Sequence, residues 1–165
     1  MHEKSIVLLN KAVADELSAV HQYMYFHFHL DDQGYDLLSS MFRRIAIKEM
    51  THAELLAERI LFLKGEVEMD LAFPVEKIQD VNEMLKKAAA MEEDAILSYN
   101  KWTNESAANA DSVSKKLFEQ LAAEEEGHYD QFDLQMEQVE KFGEGYLALQ
   151  SIERSKKLEA GPPAQ

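Results

Sequence analysis

The chain has 165 residues, 46% of them hydrophobic and 29% charged, which suits one compact domain with a sizeable core and not a disordered segment. It has no cysteine, which excludes disulfides, thiolate metal sites and cysteine nucleophiles. A formal charge of −14 argues against nucleic-acid binding through the general surface, and it is compatible with gathering cations.

The opening stretch MHEKSIVLLNKAVADE carries acid early and spaces its apolar positions for a helix. No signal peptide or membrane span is read there, so a cytoplasmic protein without membrane partners is expected. A first helix is predicted over 5–31, with Ile6, Leu9, Val13, Leu17, Val20 and Met24 at spacings of three and four. DDQG breaks that pattern, and a second helix is expected from about 35 to 64, stopping at Gly65. EVEMDLAFPVEKIQ has no sustained period and contains Pro74; about 15 such residues can span a whole bundle. DVNE (80–83) resembles a capping box opening a third helix at about 81–107. After NADS, a fourth helix is expected at 112–141, and a short fifth near 146–157. The fold class is therefore all-α, a ferritin-like four-helix bundle with a long crossover between helices 2 and 3. Residues 1–158 are expected to form a single domain, and 159–165 a flexible tail.

Each long helix carries a carboxylate within its apolar stripe: Glu16, Glu49, Glu92 and Glu125. Glu49 and Glu125 are each followed by histidine three residues on, His52 and His128, on the same helix face. A single Glu-x-x-His says little, but the spacing here is duplicated. Glu16 to Glu49 is 33 residues and Glu92 to Glu125 is also 33, with midpoints inside the two predicted turns. In an antiparallel pair, residues equidistant from the turn lie at one level. Four glutamates and two histidines should therefore meet inside the bundle. Burying one isolated carboxylate costs several kcal/mol even after relaxation. Two divalent cations would compensate all four. Oxygen-rich donors with one imidazole per metal suit iron or manganese, and the lack of thiolate disfavours structural zinc. This is the ligand pattern of di-iron carboxylate bundles.

The segments ADELSAVHQY, KEMTHAELLAERILFLKG, VNEMLKKAAAMEEDA and EEEGHYDQF, in this order and spacing, resemble the bacterioferritins over about residues 4–153. The resemblance implies Glu16 and Glu92 as terminal ligands, Glu49 and Glu125 as bridges, and His52 and His128 as one ligand to each iron. Tyr23 matches a tyrosine beside that family's di-iron site. A ferroxidase is implied, oxidising Fe(II) with dioxygen or peroxide and storing ferric mineral in a homo-oligomeric cage. A 24-mer is the expected shell and a 12-mer the alternative, with a ferredoxin as partner for iron release. Haem b between two subunits is also implied, with Met50 at the axial position. Met50 lies one residue past Glu49, turned by about 100° from the core. Its face reads Ser39, Arg43, Ala46, Met50, Ala53, Ala57, a stripe of mostly small residues expected on the outside of the helix. Arg43 and His21 depart from what that haem pocket would lead one to expect. Arg44 and Lys48 stand where many members carry iron-binding His and Asp, and Leu56 and Gln131 replace aromatic residues often found near the centre.

Other aromatic residues carry plainer expectations. Tyr99 follows Glu92 by seven residues, as Tyr23 follows Glu16, with core packing and a redox role both open. Trp102 is expected to pack, His27 to sit in the core or at a bundle end, and His21 and His29 to face outward or an interface. Two competing functions stand beside iron storage: a dodecameric mini-ferritin that removes peroxide with Fe(II), and a non-catalytic helical module binding metal structurally. Iron-dependent oxidant consumption and shell size separate the three.

Overall fold

The computed structural model describes residues 2–162, the side chain of residue 144 excepted. Four long helices, α1 (Glu3–Asp32), α2 (Asp36–Phe62), α3 (Val81–Ala108) and α4 (Ser112–Phe142), are followed by α5 (Glu144–Ala160). α1 pairs with α2 and α3 with α4 as two helical hairpins, which then pack together. The fifth helix exceeds the expected 146–157 at both ends and takes in residues 159 and 160 of the expected tail. Residues 163–165 of that tail lie outside the described residues.

The turns close by a shared device. After α1 the Tyr35 amide donates to the Leu30 carbonyl at 2.9 Å, and Gly34 takes a left-handed φ of 88°, which costs a glycine nothing. After α2 the Gly65 amide donates to Ile60 at 3.0 Å, with Lys64 in the left-handed position. Gly65 is required for a different reason: a Cβ there would lie 2.7 Å from Ile6 Cγ2, so its absence lets α1 approach. At α3, Asp80 caps the Glu83 amide at 3.0 Å, while the Glu83 carboxylate turns to Lys86 instead of closing the expected box.

The crossover between α2 and α3 is long because it runs back along α1. Asn10 holds the Glu66 carbonyl and the Glu68 amide, Ser18 Oγ accepts from the Ala72 amide at 2.8 Å, and Gln22 brackets residue 76 through both its amide atoms. These side chains lie on one line of α1, so the strap satisfies its backbone groups against the bundle without a strand partner. α3 consequently starts beside the C-terminal end of α1 and runs antiparallel to it, which brings Tyr23 level with Glu92 and Tyr99 level with Glu16.

Two apolar clusters fill the interior. One gathers Tyr23, Phe26, Phe42 and Phe132; the other gathers Leu9, Leu56, Tyr99, Trp102 and Phe118. Each fully buried side chain of this size contributes about 1.5–3 kcal/mol. Between the clusters lies a layer of ionisable groups. Among the described residues no helix is long and apolar enough to cross a membrane.

Candidate metal centre

Glu16 from α1, Glu49 and His52 from α2, Glu92 from α3, and Glu125 and His128 from α4 are all buried in that middle layer. The structure thus brings together all six residues singled out by the duplicated spacing. The i, i+3 step puts each histidine one turn along from its glutamate, on the face turned to the neighbouring hairpin.

The donor atoms form two overlapping groups, Glu16–Glu49–His52–Glu125 and Glu49–Glu92–Glu125–His128, each with its atoms within 4.8 Å of one another. Glu49 and Glu125 belong to both. Glu49 turns Oε2 to His52 Nδ1 at 3.0 Å and Oε1 to His128 Nδ1 at 2.9 Å. Glu125 does likewise, with Oε1 at 2.8 Å from His52 and Oε2 at 3.6 Å from His128. Glu16 lies 3.4 Å from His52, and Glu92 lies 3.8 Å from His128. The imidazole rings are 5.7 Å apart and nearly parallel.

These atoms are close but do not satisfy one another. Both oxygens of Glu49, Glu92 Oε2, Glu125 Oε1 and both Nδ1 atoms are buried without a hydrogen-bond partner of acceptable geometry. Buried polar groups are almost always paired, so six orphans aimed at common points indicate a missing cationic partner. The protonation pattern shows the same strain. Burial, then the charges of Glu16 and Glu125, holds Glu49 well above the usual carboxylate range. Burial and the contact with Glu125 do so for Glu92. Burial also opposes ionisation of Glu125, but its contacts with Glu92, His128 and His52 outweigh that and hold it low. For His52, burial favours the neutral ring, and the contacts with Glu125, Glu16 and Glu49 push it well up instead.

Glu124, beside Glu125 on α4, places its Oε2 2.8 Å from His52 Nε2, the outer ring nitrogen, with Lys48 Nζ at 3.9 Å. A carboxylate at the outer nitrogen sets the tautomer that leaves Nδ1 free to face the centre. Its position next to Glu125, just off the apolar stripe, was the available signal. Glu93 and Glu126, the neighbours of Glu92 and Glu125, are exposed.

Tyr23 is fully buried and its hydroxyl donates to Glu92 Oε1 at 2.5 Å. Tyr99, whose role the sequence left open, donates to Glu16 Oε1. Trp102 packs on Tyr99 and Phe118, as expected. His27 pairs with Ser39 near the end of the bundle, at 2.9 Å. Met50 is 49% exposed on the outer side of α2. The small-residue stripe around it needs correction, because Ser39, Ala46 and Ala53 are buried within the chain. Their small side chains let α1 and α2 approach, so only Arg43 and Met50 of that stripe stand fully outward.

A cleft of about 380 Å³ between α1, α3 and the crossover reaches this layer, with the buried Glu16, Glu92, Tyr23 and Tyr99 on its floor and Asp15, Asp94 and Lys87 also lining it. Burial and the charges of Glu16 and Asp94 raise the Asp15 carboxyl to about 6.

Residues 6–142 match the family model of the ferritin-like domain. The chain is 38% identical to bacterioferritin of Brucella melitensis over 141 residues, covering 86% of this chain and 88% of that one. It is 37% identical to bacterioferritin of Desulfovibrio desulfuricans over 145 residues, covering 88% and 81%. The solved structure of the Desulfovibrio protein, described with its diiron site in different catalytic states, superposes with a TM-score of 0.88 at 36% identity, over 90% of this chain and 86% of that one. That of Rhodobacter capsulatus bacterioferritin, with a metal-free dinuclear site and haem iron, gives 0.88 at 32%, over 91% and 94%. A matching ferritin-like domain, relatives above 30% identity over most of their length and a shared bundle together place this chain in the bacterioferritin family.

Proposed function

We propose that this protein is an iron-storage ferroxidase, which oxidises Fe(II) at a paired site in each subunit and keeps the ferric product inside a cage of like chains. The observation that carries this reading is the pair of overlapping donor groups sharing Glu49 and Glu125, with six buried atoms that lack a hydrogen-bond partner of acceptable geometry. In this reading Fe(II) is the substrate, and each ion gives up one electron to dioxygen or peroxide. Glu49 and Glu125 offer one oxygen to each position, which holds the ions close together and evens out the charge as it rises. Glu16 with His52, and Glu92 with His128, complete the two positions. Four carboxylates match the charge of two divalent cations, so binding substrate removes the cost of burying them. Glu124 keeps His52 Nδ1 turned inward, and Tyr23 steadies Glu92.

Assembly into a cage is supported by apolar side chains left on the surface of the single chain, among them Val7, Leu61, Phe62, Leu97, Val113 and Leu134. Haem at an interface between two copies would take as its ligand the thioether of Met50, which stands outward on α2. Haem there would supply a one-electron carrier between the outside of the bundle and the stored iron.

The test combines two measurements on metal-free protein. Stopped-flow absorbance after adding two Fe(II) per subunit and then dioxygen or peroxide should show oxidation far faster than in buffer. Light scattering should give the mass of a closed shell. Oxidation no faster than in buffer, or a stable monomer, would refute the proposal.

A further inference from the structure

We infer that Tyr99 is a positioning residue for the metal pair, holding the Glu16 carboxylate as Tyr23 holds that of Glu92. The two hairpins repeat one device with the partners exchanged. Tyr23 lies seven residues after Glu16 but donates across the bundle to Glu92, and Tyr99 lies seven after Glu92 but donates across to Glu16. Seven residues are two helical turns, so each tyrosine sits on the same face as its own glutamate and too far along to reach it. Because α1 and α3 lie side by side and run antiparallel, each hydroxyl reaches the glutamate of the other helix.

Neither ring can swing away. Tyr99 is 2% exposed, with Trp102 at 5.5 Å edge-on and Phe118 at 5.9 Å; Tyr23 is 0% exposed, with Phe42 at 5.7 Å and Phe132 at 5.5 Å. A hydroxyl on a ring locked in this way is a fixed donor, whereas a glutamate side chain alone has three torsions to restrain. On the Glu92 side the effect is visible: Tyr23 engages Oε1, and Oε2 is left buried, unpartnered and turned towards the centre. A purely space-filling aromatic at position 99 would have no need of a hydroxyl, whose burial demands an acceptor. Here the acceptor is a carboxylate of the opposite hairpin, 83 residues away in sequence. Both pairs form the floor of the cleft between α1 and α3, so each restrained carboxylate also faces the solvent route to the centre.

The inference rests on the metal-binding reading, and its test separates the two. Metal-free protein is titrated with Co(II), whose visible absorption reports the bound ion. In a His128→Gln background, which disables the Glu92 side, Tyr99→Phe should weaken the remaining position about 10- to 100-fold, and Tyr23→Phe should leave it unchanged. In a His52→Gln background the two substitutions should exchange effects. The single variants in the wild-type background should each keep one tight Co(II) and weaken the other. Phenylalanine preserves the ring and its packing, and circular dichroism checks the fold. No Co(II) uptake by wild type overturns the metal reading and this one with it. Normal uptake with no weakening by Tyr99→Phe, or weakening on the Glu92 side, overturns only the role of Tyr99.

Discussion

Asp111 connects the two hairpins, and its contribution to stability can be worked out. It caps α4 by accepting from the Ser114 amide at 3.1 Å, and it pairs with Arg59 Nη2 at 2.8 Å near the end of α2. Arg59 is held in turn by Ser114 Oγ at 3.0 Å. Burial alone would raise the Asp111 carboxyl; its contacts with Ser114 and Ser5 and the Arg59 charge outweigh it and lower the carboxyl from 3.8 to about 2. A folded-state value below the unfolded one means that folding favours the ionised form. The stabilisation is therefore complete well above the unfolded value and is lost as pH falls through the folded one. At about 1.4 kcal/mol per unit, the shift corresponds to about 2 kcal/mol at neutral pH. About half of that should remain at pH 3, and almost none below about pH 2. Asp111→Asn keeps a capping side chain but removes the charge. It should lower the thermal midpoint by about 4–8 °C at pH 7. The gap from wild type should close steadily as pH falls from about 5 towards 2. Circular dichroism melts of both proteins across that range are the assay. A gap that is independent of pH, or under about 0.5 kcal/mol at pH 7, would refute the reasoning.

Glu49→Gln removes one charge shared by both positions and should slow rapid Fe(II) oxidation at least about 100-fold in stopped flow. The metal-free form of that variant should melt no lower than wild type, because Glu49 is already driven towards its neutral form there; a lower midpoint would count against the clustered carboxylates. Wild type saturated with Mn(II) at about 100 times its dissociation constant should gain about 2.7 kcal/mol over chelated protein, seen as a higher midpoint by calorimetry. Equal midpoints would mean that the six residues do not share an ion. Protein purified from haem-replete cells should show a Soret band that Met50→Leu shifts or abolishes; an unchanged spectrum in the variant removes Met50 as the ligand.

What the sequence alone determined rests on periodicity. The 3.6-residue repeat placed four helices, Gly65 and DVNE marked two of their ends, and two equal 33-residue spacings put Glu16 level with Glu49 and Glu92 level with Glu125. Register in an antiparallel hairpin is a matter of counting from the turn, so Glu16 opposite Glu49 and Glu92 opposite Glu125 could be read directly. Contacts between hairpins could not, because they depend on how the crossover lays α3 against α1. Only the tertiary structure showed Tyr23 reaching Glu92 and Tyr99 reaching Glu16, since each donor ends on a helix remote from it in sequence. The same holds for Glu124, whose helical phase lies at the edge of the stripe and whose partner, His52, belongs to the other hairpin. The stripe around Met50 failed for a related reason. Small residues mark close approach without naming the neighbour, and here that neighbour is α1 of the same chain along much of the stripe, leaving Met50 itself turned outward.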